Sequence, residues 1–249
     1  MVYNIKSSLR RVMVLCVKDM KLYYFKGPTI VMGLLMPLFL WLAFMIGAKL
    51  PLTRGLSVLI VISAFFTASS ITPIVMQWET RQKTLEMMLS RPVTIYTILF
   101  GTALASTLFG IFISFILVVA GLLLNMIPHD IVLLILGVSV ASLCYSFMGL
   151  LFSAIPSDIP ADAVLLSSVV RFSLIFISGV LIPIQKLPYY IRPLAYISPL
   201  TYFSDLIGYI YDYNSLLDPL VDLIVLLILT VAFIILSLTV NKATLTIRL

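Results

Sequence analysis

Few residues in this chain are of the types that do chemistry, and their spacing excludes most of it. His129 is the only histidine, and neither an H-E-x-x-H nor a G-x-S-x-G element occurs. Zinc-assisted hydrolysis and serine acyl transfer therefore have no residues to carry them. A G-x-x-x-x-G-K-[ST] run is also absent; it would supply the backbone cradle and lysine that hold nucleotide phosphates. Cys16 lies near a basic N-terminal segment and Cys144 inside an apolar run, which offers neither a disulfide framework nor metal-ligand spacing. Both are expected to be small apolar packing residues. Asp205, Asp212, Asp218 and Asp222 lack the compact alternation of an EF-hand loop and are expected as solvated loop acids or helix caps.

What must position these residues follows from composition. Of 249 residues, 62% are hydrophobic and 10% charged, against roughly 45–50% and about 25% in soluble domains. The mean hydropathy is +1.18. The formal net charge of +6 is not gathered on a soluble face with interleaved aromatics, so no nucleic-acid partner is expected. A bilayer core about 30 Å thick needs roughly 20 apolar residues in helix. Six runs qualify: 28–47, 55–76, 95–124, 131–155, 161–182 and 219–240. The first starts only near Pro28 and exceeds a signal-peptide core, so no cleaved leader is expected. The expected fold is an all-α integral membrane protein of six transmembrane helices, a single domain over 1–249.

Basic residues orient it. With the N-terminus in the cytoplasm, Lys6, Arg10, Arg11, Lys18, Lys21, Lys26, Arg81, Lys83, Arg91, Lys242 and Arg248 fall inside, and only Lys49, Arg54, Lys186 and Arg192 outside. The positive-inside bias thus places both termini in the cytoplasm, in a multi-pass protein of the cell membrane.

Three segments differ from ordinary spans. Residues 4–26, from Asn4 to Lys26, carry Ile5, Leu9, Val12, Cys16, Met20 and Tyr23 on one helical stripe, with Lys6, Arg10, Lys18 and Lys21 opposite. That is an interfacial helix pattern, lying on membrane lipid. Val14, Leu15 and Leu22 interrupt the polar side, so a helix partly buried against protein fits as well. Residues 78–93 form a short helix that ends before Pro92, with Glu79 and Lys83 four apart and Leu85, Met88 and Leu89 clustered. So short a helix is marginal in water. It is either held by a cytoplasmic protein partner or a solvated turn. From Ser178 to Asp218, Pro183, Pro188, Pro193 and Pro199 forbid one continuous helix, and Tyr189, Tyr190, Tyr196, Tyr202, Tyr209, Tyr211 and Tyr213 suit a membrane interface. Broken or re-entrant outer helices are expected.

Arg171 stands within the fifth run, where a lone cation costs about 2.5–3.5 kcal/mol. It either faces a permeation path and attracts an anionic group, or pairs internally or snorkels.

Glu79, Thr84-Leu85-Glu86, Leu89 and Pro92-Val93, with Lys26-Gly27-Pro28 before them, form one part of a pattern. Ser178-Gly179, Pro183, Leu187-Pro188, Arg192-Pro193-Leu194-Ala195-Tyr196 and Ser198-Pro199-Leu200-Thr201-Tyr202 form the rest. In this order they resemble the type-2 ATP-binding-cassette (ABC) export permeases, the daunorubicin-resistance-like branch above all, along essentially the whole chain. One departure is Lys83, where the family usually has glycine. The resemblance implies a coupling helix over 79–91 docking on a separate ABC ATPase subunit through Glu79, Lys83, Leu85, Glu86, Leu89 and Arg91. It implies an interfacial helix over 4–26 and an external gate over 183–205 that includes Pro183, Pro188, Pro199 and Tyr202. A second permease chain, homo- or heterodimeric, would complete the path. The chain would bind no cofactor and do no catalysis itself; ATP and Mg would belong to the partner. Multidrug or lipid efflux is the implied work, with an ion-gradient-driven secondary transporter as the alternative. Against that alternative stand the lack of an internal repeat and of an acid clearly at mid-span.

Overall fold

The computed structural model describes residues 5–48, 51–155, 160–212 and 215–248. Asn4, Lys49 and Tyr213 lie outside the described residues. Among the described residues every regular element is helical. The chain opens with α1 (Ile5–Asp19) and a π-helical turn at Met20–Tyr24, then α2 (Gly27–Ile30), a second π turn at Val31–Leu35, and α3 (Met36–Ala48). Next come α4 (Leu52–Ser69), α5 (Thr72–Arg81), α6 (Thr84–Leu89), α7 (Ile95–Leu123), α8 (Ile131–Ser153) and α9 (Pro160–Ile177). A 3-10 turn at Ile184–Lys186, α10 (Arg192–Ala195), α11 (Pro199–Ile210) and α12 (Pro219–Arg248) complete it.

Five helical segments are long and apolar enough to cross a membrane: Leu52–Arg81, Ile95–Leu123, Ile131–Ser153, Pro160–Ile177 and Pro219–Thr244. The first expected run is not among them, because α2, the π turn and α3 break it, leaving a shorter apolar helix at Gly33–Gly47. Pro37 gives the reason: it has no N–H for the carbonyl of Gly33, and the helix widens just before it. Pro73 acts alike on the second run, which breaks at Ser70–Ile71 between α4 and α5.

Helix starts are written locally. The Thr94 and Asp130 side chains accept from the third residue of α7 and α8, Asp130 from Leu133 N–H at 2.9 Å. Pro193 and Pro199 sit in the first turns of α10 and α11, where a missing N–H costs nothing. The prolines that forbid one long outer helix thus begin several short ones.

The core forms around α4, buried almost all round from Gly55 to Ser69 and packed against α7, α8 and α11. Close approach relies on small residues: a Cβ on Gly110 would meet the Ala68 Cβ at 3.2 Å. In contrast, α9 and α12 keep apolar side chains exposed, among them Leu165, Val169, Ile224, Ile228 and Ile235. Such a surface suits hydrocarbon rather than water.

Two sequence expectations change here. A single helix over 79–91 does not form: Glu79 to Arg81 finish α5, and a left-handed Lys83 (φ 56°) separates them from α6. The stripe assigned to 4–26 is also rotated. Leu15, Cys16, Asp19 and Tyr24 face the protein while Leu9, Met13 and Val17 are exposed, so α1 is the helix partly buried against protein. It rests on α7 at Gly101, where a Cβ would lie 2.7 Å from the Leu15 Cβ.

Candidate functional site

The most connected polar residue at the α1–α5–α6 junction is Glu79. It lies in the last turn of α5, only 2% exposed. Lys18 Nζ donates to its Oε1 at 2.5 Å and Tyr23 Oη to the same oxygen at 2.8 Å, while Thr84 Oγ1 donates to Oε2. Tyr23 also stacks on Trp78, the ring centroids 5.3 Å apart. Lys18 reaches Asp19 at 3.1 Å, and Asp19 in turn accepts from Thr102 of α7 at 2.6 Å. Arg11 donates to the carbonyl of Pro92, just beyond α6. Four helices, α1, α5, α6 and α7, are therefore tied through one cation between two carboxylates.

The charges answer to this geometry. Burial opposes the Lys18 ammonium, but Asp19 and Glu79 outweigh it and hold its pKa above the usual lysine range. Burial pushes the Asp19 carboxyl up despite Lys18 and Thr102. Burial and the Glu79 carboxylate likewise keep the Tyr23 phenol protonated well beyond its ordinary range.

The residues assigned to coupling divide into two sets. Glu79 and Leu85 point inward, Leu85 completely buried beside Ile95 and Leu99. Lys83, Glu86 and Arg91 are exposed together with Met87, and Leu89 is half-buried. Beneath α6 a cavity of about 270 Å³ is bordered by Lys18, Tyr23, Glu79, Thr84, Met87 and Arg91. Direct contact with a partner is thus open to the exposed set, while Glu79 and Leu85 position it.

Sequence reasoning did not find Lys18, Asp19, Tyr23 or Thr102 as partners of this site. One signal was available: Asp19 is the only acidic residue before Glu79, and it interrupts a helix otherwise basic and apolar.

Arg171 is 5% exposed and turned into the bundle. It donates to Ser70 Oγ at 2.7 Å, Ser167 O at 3.1 Å, Ser167 Oγ at 3.2 Å and Ser168 Oγ at 3.1 Å, and lies 5.6 Å from the Phe66 ring centroid. Each of its three guanidinium nitrogens has an acceptor within the bundle. Ser70 is the residue at which α4 and α5 part, so the guanidinium ties α9 to that break.

At the opposite end Tyr202 donates to Tyr196 O at 2.6 Å and Thr201 to Ala195 O at 2.5 Å, locking α10 to α11. Pro183 and Pro188 flank the 3-10 turn, and Pro199 begins α11. A cavity of about 160 Å³ opens beside Arg54, Gly179, Gln185, Thr201 and Asp205.

A family model described as "ABC-2 family transporter protein" matches residues 52–239, from the start of α4 into α12. The chain belongs to that family. As an ABC-2 permease it is a multi-pass membrane subunit of an ABC transporter, a transporter component rather than an enzyme, of a family that works with an ABC ATPase subunit. The core helix α4 and Glu79 fall within the match, while Lys18, Asp19 and Tyr23 lie before it. No curated protein matches the chain.

Proposed function

We propose that this ABC-2 permease belongs to the daunorubicin-resistance-like branch and is the path-forming subunit of an ATP-driven exporter, coupled to its ATPase through α6. The observation that carries this is the Lys18–Glu79–Tyr23 junction, which holds α6 so that Glu86, Met87 and Arg91 face outward. An isolated helix of six residues would not persist in water. Anchored on α1 and α5, it can transmit a push along α5 to the Ser70 break and into α4. Arg171, tied to Ser70, fits a positioning role in that transmission better than a place on the substrate path.

In this reading the chain is one transmembrane domain over 1–249 with six passes, the broken α2–α3 stretch making the first. Both termini lie in the cytoplasm, with α1 along the inner surface of the cell membrane. Two permease chains pair, and ATP and Mg are bound by ATPase subunits below. The short helices over 183–205, with Pro183, Pro188, Pro199 and Tyr202, close the outer end. The cargo class is a hydrophobic drug or lipid entering from the bilayer, consistent with the apolar faces of α9 and α12.

Co-expression with an ABC ATPase from the same genome, purification of the complex and reconstitution test the proposal. Vanadate-sensitive ATP hydrolysis stimulated by the permease, with ATP-dependent efflux, is the expected result. Flux driven by an ion gradient without ATP would replace it with the secondary transporter.

A further inference from the structure

Asp222, in the first turn of α12, is 0% exposed, and neither of its carboxyl oxygens has a hydrogen-bond partner among the described residues. It faces Asp205 of α11, and the two carboxyl groups interact directly. Asp205 is placed differently. Its oxygens accept from Leu216 N–H at 2.8 and 2.9 Å and from Leu217 N–H at 2.8 Å, which clamps the segment leading into α12 and suits an ionised carboxylate.

Among the described residues, the other groups facing Asp222 supply no cation. Tyr202 comes from α11, and Asp218, which caps α12 through Leu220 N–H, adds another negative charge. The helices α7 and α8 carry no Asp, Glu, Lys, Arg or His, and the Cys144 of α8 sits beside Thr230, about 12 Å further along α12. His129 and Asp212 pair with each other at the exposed end. Arg54 borders the outer cavity alongside Asp205.

An ionised carboxylate with neither hydrogen bond nor counter-charge is the arrangement buried sites avoid, and a neighbouring carboxylate makes it worse. A proton removes both problems: it neutralises Asp222 and makes one of its oxygens a donor. Asp205 Oδ1, which accepts from the backbone only once, keeps a lone pair free to receive that hydrogen bond.

We propose that Asp222 is a proton-binding site near the outer cavity, holding a proton at neutral pH and donating it in a hydrogen bond to the Asp205 carboxylate. The pair then joins α11 to α12. The proton comes from the outer solution, through the cavity that Asp205 borders, and returns there when the pair opens. Its loss sets two carboxylates against each other beside Asp218 and loosens α11 from α12. This inference does not depend on ATP coupling.

Infrared spectroscopy of the purified full-length chain in detergent, in light and heavy water, tests it. The wild type is expected to show a protonated-carboxyl band at neutral pH that disappears in alkaline buffer, and Asp222→Asn to lose that band. Thermal unfolding should show the wild type losing several degrees more than Asp222→Asn between neutral and alkaline pH. No band in the wild type, or a band unchanged in Asp222→Asn, overturns the proposal. So does stabilisation of the wild type by sodium, potassium or calcium ions that Asp222→Asn abolishes, because the ligand is then a metal cation. If Asp222→Asn does not fold, Asp205→Asn replaces the carboxylate acceptor by an amide and must shift the band; an unmoved band overturns the proposal equally.

Discussion

Lys18 and Glu79 stand 61 residues apart in the chain, yet the ammonium of one lies 2.5 Å from the carboxylate of the other. One is on α1 and the other at the end of α5. Their contact converts α1 from a surface helix into a brace for α6, since Tyr23 and Thr84 complete the carboxylate's partners.

Replacing Lys18 leaves the buried Glu79 under-bonded, at a cost of about 1–3 kcal/mol, and replacing Glu79 leaves the half-buried Lys18 with Asp19. Lys18→Met and Glu79→Gln should each lower the unfolding temperature in detergent. Their combination should cost less than the two together, with a coupling of about 0.5–3 kcal/mol. Strict additivity would mean that the pair does not brace α6.

Lys83 occupies the left-handed region at φ 56°, a conformation that strains a side-chain-bearing residue by about 1–2 kcal/mol and glycine hardly at all. Lys83→Gly removes that strain while adding some backbone freedom to the unfolded chain. A net stabilisation of about 1 kcal/mol is expected, read as a raised unfolding temperature. A loss of stability would show that the lysine side chain itself holds the turn.

Neighbouring positions on α6 should behave oppositely. Glu86 is exposed, so Glu86→Lys should weaken ATPase capture in a pull-down without lowering membrane insertion or unfolding temperature. Leu85 is fully buried, and Leu85→Ala should cost about 2–5 kcal/mol as a core truncation. Equal capture by wild type and Glu86→Lys counts against docking through α6.

Arg171 and Ser70 should share a phenotype if the guanidinium holds the break between α4 and α5. Arg171→Met and Ser70→Ala are both expected to reduce ATP-coupled transport several-fold for every substrate, with ATPase capture intact. A selective loss of anionic substrates in Arg171→Met alone would instead place Arg171 on the path.

Alkaline pH should loosen α1. The folded Lys18 holds its proton above the ordinary value of 10.5. Its contribution to stability is therefore complete below that value and is lost as pH rises through the higher folded one. Asp19 has the same sense at the acid end: its raised carboxyl makes protonation favour the folded state as pH falls. Limited proteolysis of the N-terminal segment across an alkaline series measures the first effect. Lys18→Met, already without the charge, should show no added alkaline sensitivity.

Hydropathy is a local sum, so the amino-acid sequence by itself determined the membrane class, the helical fold and the approximate place of most long helices. Proline and capping residues, equally local, marked where helices begin, as Thr94, Asp130 and Pro199 illustrate. Pro37 and Pro73 also signalled the breaks in the first two runs, but a count of apolar residues passes over them. What only the tertiary structure decided was the rotation of each helix about its axis. Glu79 reads as a surface acid until α1 seats on Gly101 and brings Lys18 to it. Arg171 reads as a lone charge until α9 packs against the Ser70 break, and Asp222 as a loop acid until α11 covers it. Burial of a polar side chain depends on contacts between residues far apart in sequence, and a pattern of residue types along the chain does not encode which face of a helix meets which neighbour.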